Sequence, residues 1–237
     1  MKYSLNLRTI DVEHIDKMCT YRLPKGVRLK DFVIEKNEHS DKICIIGVGG
    51  GGINIVKSIT KNKHQYYPLM AHIDHSELYD DTPKNKLYLL SDIEDEEILT
   101  LENRYALSKF VSGHKKVYIV TTFGRETHKC EAVDKIVQHL HRIGREITMI
   151  VVKPFLFEVV PGRIKSINTT LEKLETFTEK ILVFHNEDLL DIKEKSTMTM
   201  PEVFSTLDTI ITLVIVEGYE CDGEVIQNFY LKDLWNE

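Results

Sequence analysis

The chain has 237 residues, which is enough for one large domain with a substantial hydrophobic core. Its net charge of -6 argues against a protein that grips nucleic acid over a broad basic surface. The four cysteines form no CxxC pair, so the sequence indicates neither a zinc ribbon nor a disulfide framework. Neither a signal-peptide core nor a membrane span is predicted. We therefore expect a soluble, cytoplasmic protein that does not bind nucleic acid.

Three regions are predicted along the chain. Residues 1–41 are mixed in pattern and are predicted to form an N-terminal extension. In residues 42–220, apolar runs of strand length alternate with helical patterns, which is typical of a mostly parallel sheet flanked by helices on both faces. Residues 221–237 are predicted to form a short C-terminal tail. The predicted fold class is thus α/β, with a Rossmann-like sheet.

The predicted elements follow one another in a regular order. Strands are predicted at 43–48, 69–74, 86–90, 117–122, 147–152 and 181–184. Helices are predicted near 51–62, 93–112, 130–143, 163–178 and 201–218. The helix near 130–143 has one continuous apolar face, formed by Val133, Ile136, Val137, Leu140 and Ile143. Its polar residues, Asp134 and His139 among them, are expected to lie elsewhere on the helix.

A run of four glycines follows the first predicted strand, within KICIIGVGGGGINIVKSI. The backbone amides at the start of the following helix can face a phosphate. Gly47, Gly49 and Gly52 also fit GxGxxG, and Asp74 ends the next predicted strand, so a dinucleotide-binding Rossmann domain is one interpretation. Glycines that only permit close packing of the helix on the strand are another. A Walker loop is excluded because the GK[ST] ending is absent.

Five segments further restrict these interpretations. ICIIGVGGGGINIV, VYIVTTFGRETHKCEA, TMIVVKPFLFE, ILVFHNEDLL and EVFSTLD occur in an order and spacing that closely resemble the GTPase domain of FtsZ, the bacterial relative of tubulin. The resemblance covers about Lys42 to Glu220. It implies an FtsZ/tubulin-type fold, with GTP or GDP as ligand and Mg²⁺ accompanying GTP. It also implies a cytoskeletal protein of cell division or membrane remodelling that associates with itself or with an FtsZ-family partner and meets membranes only indirectly.

The resemblance assigns one group of residues to the phosphates. In the family the first glycine loop lies along the diphosphate, and Gly50, Gly51, Gly52 and Asn54 match it. Thr127 matches the central threonine of the second phosphate loop. These five residues are the predicted phosphate side of the site.

A second group is assigned to the ribose and the base. Glu158 and Arg163 match family residues near the ribose and phosphates, and Asn186 matches an Asn that contacts the ribose or base. Phe204 is predicted to stack on guanine. Asp208 is predicted to accept hydrogen bonds from the guanine N1–H and amino group.

The chain departs from the family in its phosphate loops. The glycine-rich signature loop reads GRETHKC over residues 124–130, so only its first glycine and central threonine remain. Side chains therefore stand where backbone should approach the phosphates, and Glu126 opposes their charge. The loop that senses the γ-phosphate reads SDIEDEE, without glycine. We expect weakened binding and impaired discrimination between triphosphate and diphosphate.

The family's catalytic loop also differs. In GEVIQNFYLKDLW, Phe229 can be aligned, but Ile226 and Asn228 replace the family's Asn and first Asp. An amide cannot act as the general base, so no catalytic residue is predicted. We expect no counterpart of the family's second domain, with residues 221–237 in its place.

Two short histidine pairs complete the list of candidate sites. His72 with His75, and His139 with His141, have no third metal ligand nearby in sequence. We expect solvated histidines and no metal site.

The leading hypothesis is an FtsZ-like cytoskeletal or scaffold protein that binds guanine nucleotide weakly, with little or no hydrolysis of its own. The alternative is a nucleotide-free interaction module that regulates a complete FtsZ or forms its own dimer. A third hypothesis is an enzyme, either a GTPase completed by a partner chain or an NAD-dependent protein in which Asp74 meets a ribose.

Overall fold

The structure is a computed structural model that describes residues 39–61, 63–72, 85–89, 99–123, 128–159, 162–190, 198–218 and 225–229. Within these residues, seven parallel strands form one sheet in the order β3-β2-β1-β4-β5-β6-β7. The strands are β1 Ile43–Val48, β2 Tyr66–His72, β3 Lys86–Tyr88, β4 Lys116–Thr122, β5 Glu146–Lys153, β6 Lys180–His185 and β7 Ile226–Phe229. The predicted α/β class with a parallel sheet is confirmed.

Helices connect these strands and cover both faces of the sheet. They are α1 Gly49–Thr60, α2 Leu101–Phe110, α3 His128–Arg142, α4 Arg163–Glu175 and α5 Met200–Leu213. The last continues as a π-helix over Val214–Gly218, and a 3₁₀ turn at Leu156–Glu158 follows β5. None of the helices in the described ranges combines the length and the apolar character that a membrane span requires.

Two hydrophobic cores lie on opposite faces of the sheet. Alternate residues of β1 belong to different cores. Ile46 lies in the core covered by α2, α3 and α4, whereas Ile45 lies in the core covered by α1 and α5. Strand order reverses between β1 and β4, which is the place where ligands bind in open α/β sheets. A ligand site is therefore expected at the carboxyl ends of β1 and β4, on the side of α1 and α5.

Strand β2 begins at Tyr66 and not at residue 69, because Pro68 does not interrupt it. The amide of Met70 donates to Asn85 O, so the nitrogen of Pro68, two residues earlier, faces the same neighbour. The first residue of β2 that pairs with β3 is Met70. The missing amide hydrogen of Pro68 therefore costs no hydrogen bond between these two strands. A proline just outside the paired edge is compatible with a strand.

Strand β7 lies in the stretch that was read as a catalytic loop. Val183 of β6 pairs with Asn228 of β7, in parallel register. Residues 226–229, which the resemblance aligns with the family's catalytic loop, therefore form a strand. Strand β7 also falls within the predicted tail, yet it belongs to the same sheet.

The prediction that His139 is solvated is wrong. His139 is buried, as is Asp134, although both lie outside the apolar face of α3. His72 is buried as well, whereas His75 lies outside the described residues. Nothing is established about the predicted extension over residues 1–38, which also lies outside them, so the three predicted regions remain predictions.

Candidate nucleotide-binding cleft

A cleft of about 560 Å³ opens at the carboxyl ends of the strands, between α1 and α5. Residues from the strand ends, the two helices and the connections after β5 and β6 line it: Gly51, Asn54, Ile55, Thr122, Val152, Pro154, Glu158, Asn186, Phe204, Leu207 and Asp208. Because parallel strands all end at this edge, distant parts of the sequence meet here.

The first turn of α1 forms one end of the cleft. The residue before it, Val48, is extended and makes no side-chain cap, and the first turn contains no acidic residue. The first amides of a helix have no partner within it, and the helix dipole favours negative charge there. This end of the cleft therefore suits an anion such as a phosphate.

The glycines of this turn have different roles. Gly51 lines the cleft, and a Cβ on it would clash with the side chain of Thr122. Gly52 instead faces β4, where a Cβ would come within 3.0 Å of the Thr121 Cα and still closer to the Val120 carbonyl. A Cβ on Gly47 would meet the Gly52 carbonyl at 2.9 Å. The packing interpretation therefore holds for Gly47 and Gly52, and Gly52 is absent from the cleft lining.

The connection after β5 brings Glu158 to the cleft. The Phe155 amide donates to the Glu158 carboxylate at 3.2 Å, which fixes the 3₁₀ turn. The next amide, that of Leu156, donates to the Glu187 carboxylate at 3.3 Å. These contacts link the connection after β5 to the one after β6 and hold Glu158 at the cleft wall.

Asn186 follows β6 and carries a buried acceptor. Its backbone amide donates to Lys153 O at 3.1 Å, which fixes the residue at the edge of the sheet. Its side-chain Oδ1 is buried and has no hydrogen-bond partner. Buried acceptors are nearly always satisfied, so this oxygen suits a ligand that donates a hydrogen bond.

Helix α5 supplies Phe204 and Asp208, which lie one turn apart on the face toward the cleft. The Phe204 ring is 39% exposed and packs edge-on against Phe155, with 6.2 Å between ring centroids. Burial raises the pKa of the Asp208 carboxyl, and a hydrogen bond with Ser58 opposes this effect. The arrangement offers an aromatic face beside an acceptor, as a purine with exocyclic donors requires.

Six of the predicted site residues meet in this cleft: Gly51, Asn54, Glu158, Asn186, Phe204 and Asp208. Gly50 lies in the first turn of α1 but not in the lining. Thr127 lies outside the described residues, as does the side chain of Arg163, whose backbone begins α4. The prediction missed Thr122, although its position at the end of β4, just before the altered signature loop, could have signalled it.

The described residues provide little for metal binding or for general-base catalysis near β7. In the described ranges, no three His, Cys, Asp or Glu side chains are grouped to hold a metal ion. The amide Oδ1 of Asn228, at the position of the family's acid, lies 3.0 Å from His185 Nε2. Because an amide oxygen only accepts, His185 donates this bond.

Comparison with known proteins relates the whole arrangement to one group. No known family profile matches the chain. Over 188 residues it is 27% identical to the cell division protein FtsZ of Helicobacter pylori, covering 73% of this chain and 48% of that protein. The chain thus spans about half the length of this curated relative.

Several solved structures share the fold. An empty FtsZ dimer from M. jannaschii matches with a TM-score of 0.58 and 18% identity, over 78% of this chain and 58% of that one. CetZ from Methanosaeta thermophila matches with a TM-score of 0.58 and 13% identity, over 75% and 55% of the two chains. TubZ of Bacillus thuringiensis serovar israelensis, in GDP-form protofilaments, matches with a TM-score of 0.56 and 15% identity, over 82% and 58%.

The sequence relative and the structural neighbours agree with the motifs from which the resemblance was first drawn. The chain is therefore similar in sequence to FtsZ and shares the fold of the solved FtsZ, CetZ and TubZ structures.

Proposed function

We propose that this chain is an FtsZ-like cytoskeletal or scaffold protein whose cleft binds guanine nucleotide weakly and hydrolyses it little or not at all. The observation that carries the proposal is the meeting of Asn186, Phe204 and Asp208 in one cleft. The proposed ligand is GDP, or GTP with Mg²⁺. Residues 42–220 form the proposed nucleotide-binding region.

Each proposed contact has its own chemistry. Guanine presents N1–H and amino donors, which an ionised Asp208 can accept in pairs. Phe204 stacks on the purine, and the unpartnered Oδ1 of Asn186 accepts from the base or ribose. Glu158 accepts from ribose hydroxyls, while Gly51 and Asn54 lie toward the phosphates. Thr127 and Arg163 are proposed phosphate contacts on the resemblance alone.

Low hydrolysis is proposed because Asn228 of β7 stands where the family has a catalytic carboxylate. Asn228 is an amide and is already paired with His185, and an amide cannot take a proton from water at neutral pH. Function then depends on assembly or partner binding. The structure of TubZ in protofilaments supports self-association as the first form of assembly to test.

A second candidate function is a nucleotide-free interaction module that binds a complete FtsZ or a second copy of this chain. The observation that favours it is the exposure of two bulky apolar side chains beside the cleft, Leu156 at 60% and Phe157 at 73%. Exposed apolar groups of this size often mark an interface. This candidate requires no ligand in the cleft.

Isothermal titration with GDP, GTP and NADH, with and without Mg²⁺, separates the two candidates. We expect guanine nucleotides to bind with a Kd on the order of 0.1–1 mM, or about -4 to -5.5 kcal/mol. The Asp208→Ala variant should lose more than about tenfold in affinity, because the two guanine donors lose their acceptor. The Thr209→Ala variant is the matched control, since Thr209 is the exposed neighbour of Asp208 on α5.

The outcomes are distinct. No binding of either guanine nucleotide at millimolar concentration would overturn the proposal and leave the interaction module. Equal affinity of Asp208→Ala and the parent protein would show that the base is not recognised at α5. Steady phosphate release from GTP by the chain alone would contradict the proposed lack of hydrolysis.

A further inference from the structure

Thr122 ends β4 at the point where that strand reaches the cleft. Two hydrogen bonds fix the backbone around it. The Phe123 amide donates to Val152 O at 3.2 Å, and the Thr121 hydroxyl donates to Val48 O at 3.2 Å. The position of Thr122 between β1 and β5 is therefore set by both neighbouring strands.

The side chain of Thr122 lies on the face of the sheet that α1 covers. Side chains alternate between the two faces of a strand, and Tyr118 and Val120 of β4 belong to the core under α1 and α5. Thr122 is the next residue of β4 on this face, where the core gives way to the cleft. Its hydroxyl and methyl groups therefore point toward α1 and not toward the helices on the opposite face.

The Thr122 side chain packs against the first turn of α1. A Cβ built on Gly51 would lie 2.6 Å from Thr122 Cγ2 and closer still to Oγ1, so the hydroxyl oxygen is the Thr122 atom nearest to that position. Gly51 is in the first turn of α1, where the backbone amides have no partner within the helix. The Thr122 hydroxyl and these amides therefore share one corner of the cleft.

This corner of the cleft suits a phosphate group. The unpaired amides can donate to phosphate oxygens, and the helix dipole favours an anion. A threonine hydroxyl adds one O–H donor, which can rotate toward a phosphate oxygen. The same cleft contains the buried, unpartnered Oδ1 of Asn186, which is an independent indication that the cleft receives a ligand.

We infer that Thr122 is a further ligand-binding residue of the cleft, whose hydroxyl donates to a phosphate oxygen held at the first turn of α1. This assignment rests on the proposed function, because it adds a contact to the phosphate end of the same nucleotide. Thr127 and Arg163 are proposed as phosphate contacts on the resemblance alone. Thr122 differs from them because its side chain lines the cleft in the described structure.

Isothermal titration of the full chain with GDP tests this assignment through two variants of Thr122. Thr122→Val removes the hydroxyl but keeps the branched shape that packs on Gly51, so the fold should be preserved. We expect the GDP affinity to fall about three- to tenfold, because a hydrogen bond to a charged group is lost. Thr122→Ser keeps the hydroxyl and should bind GDP within about twofold of the parent protein. Thr209→Val makes the same change outside the cleft and should leave the affinity unchanged.

Nuclear magnetic resonance of bound GDP distinguishes a phosphate contact from a general change of the cleft. In Thr122→Val, the phosphorus resonances of bound GDP should shift relative to the parent complex, because a phosphate oxygen loses a donor. The resonance of the guanine H8 proton should stay the same, because Phe204 and Asp208, the proposed contacts of the base, are unchanged. The relative loss of affinity should be equal with and without Mg²⁺, since the hydroxyl binds phosphate and not the metal ion.

Failure of this inference can be distinguished from failure of the proposed function. If the parent protein does not bind GDP at millimolar concentration, both are overturned. If the parent binds GDP and Thr122→Val binds it equally well, or if Thr122→Ser does not restore the affinity, the inference alone is wrong. It is also overturned by a loss that occurs only with Mg²⁺, by a shifted H8 resonance or by a lower urea midpoint of Thr122→Val. Metal coordination or a structural change would then explain the lower affinity.

Discussion

Nε2 of His139 on α3 lies 2.8 Å from Oγ of Ser108 on α2. The Ser108 hydroxyl itself donates to the Arg104 carbonyl at 2.8 Å, so its hydrogen is already used. The imidazole must therefore donate to Ser108 through Nε2–H. This buried bond holds α3 against α2 and fixes the position of the Nε2 proton.

The burial of His139 makes the stability of the fold depend on pH. Burial, and then the positive charges of Arg104 and Arg142, lower the pKa of His139 from 6.5 to about 4. The unfolded chain takes up a proton near pH 6.5, whereas the folded protein does so only near pH 4, so stability falls as the pH drops through this window. We expect a loss of up to about 3 kcal/mol, measurable by urea denaturation at intervals between pH 7 and pH 4.

Two glutamine variants distinguish the contribution of His139 to the pH dependence of stability from that of other titratable groups. His139→Gln keeps an N–H donor for Ser108 but does not titrate, so its stability should fall much less between pH 6.5 and 4. His64→Gln changes an exposed histidine and should retain the slope of the parent protein. Some slope should persist in both, because burial also lowers the pKa of His114. Identical slopes for His139→Gln and the parent would rule out His139 as the source.

Gly52→Ala should destabilise the fold, because the added methyl group meets the backbone of β4 at Val120 and Thr121. Backbone cannot rotate away as a side chain can, so we expect a cost of about 2 kcal/mol or more. Gly144→Ala is the control, since nothing lies within 4 Å of its Cβ and only its φ of +73° opposes the change. That strain should cost about 1 kcal/mol. Urea midpoints measure both, and an equal loss would contradict the packing role of Gly52.

The central strands could be predicted from the sequence because both of their faces are buried. Strand β1 occupies 43–48 as predicted, and β4 and β5 start within one residue of the prediction. Strands covered on both faces read as continuous apolar runs. Strand β7 is a short edge strand, IQNF, which has no such run. Its pairing with β6 depends on tertiary contacts that local pattern does not contain.

The apolar face of α3 did not predict the contacts that the helix makes with α2 and α4. The helix has neighbours on two flanks in addition to the sheet below. His139 bonds Ser108 of α2, and Asp134 pairs with Lys173 of α4. Periodicity identifies the face toward the sheet but not the flanks toward other helices. Six residues that the resemblance assigns to the site line one cleft, because they lie at strand and helix ends that the parallel sheet brings together.

Lys173→Met tests the flank contact between α3 and α4. The Lys173 ammonium lies 2.5 Å from the Asp134 carboxylate, whose side chain is only 10% exposed. Without the lysine, this nearly buried charge keeps only the 2.7 Å hydrogen bond from Gln138. We expect a loss of about 1–2 kcal/mol in the free energy of unfolding, because a buried charge loses its partner while the exposed lysine limits the effect.

Lys115→Met is the matched control for that experiment. Lys115 pairs with Glu146 at the same 2.5 Å, but both side chains are exposed, at 83% and 43%. Solvent screens such a pair, so its removal should cost much less stability than the removal of Lys173. If the two variants lost equal stability, burial of Asp134 would not govern the strength of the pair.

The affinity for GDP should decline in acid because of Asp208. Burial raises the pKa of its carboxyl above the usual 3.8, and only the ionised form accepts from both guanine donors. Affinity should thus be constant at neutral pH and fall as the pH approaches the raised pKa, earlier than an exposed aspartate would cause. Titrations in the His139→Gln background keep the protein folded over this range. Asp208→Asn should bind GDP weakly at every pH, because its amide has one acceptor and its NH₂ group faces the donors of guanine. If the pH profile of this variant ran parallel to that of the parent protein, another group would cause the decline.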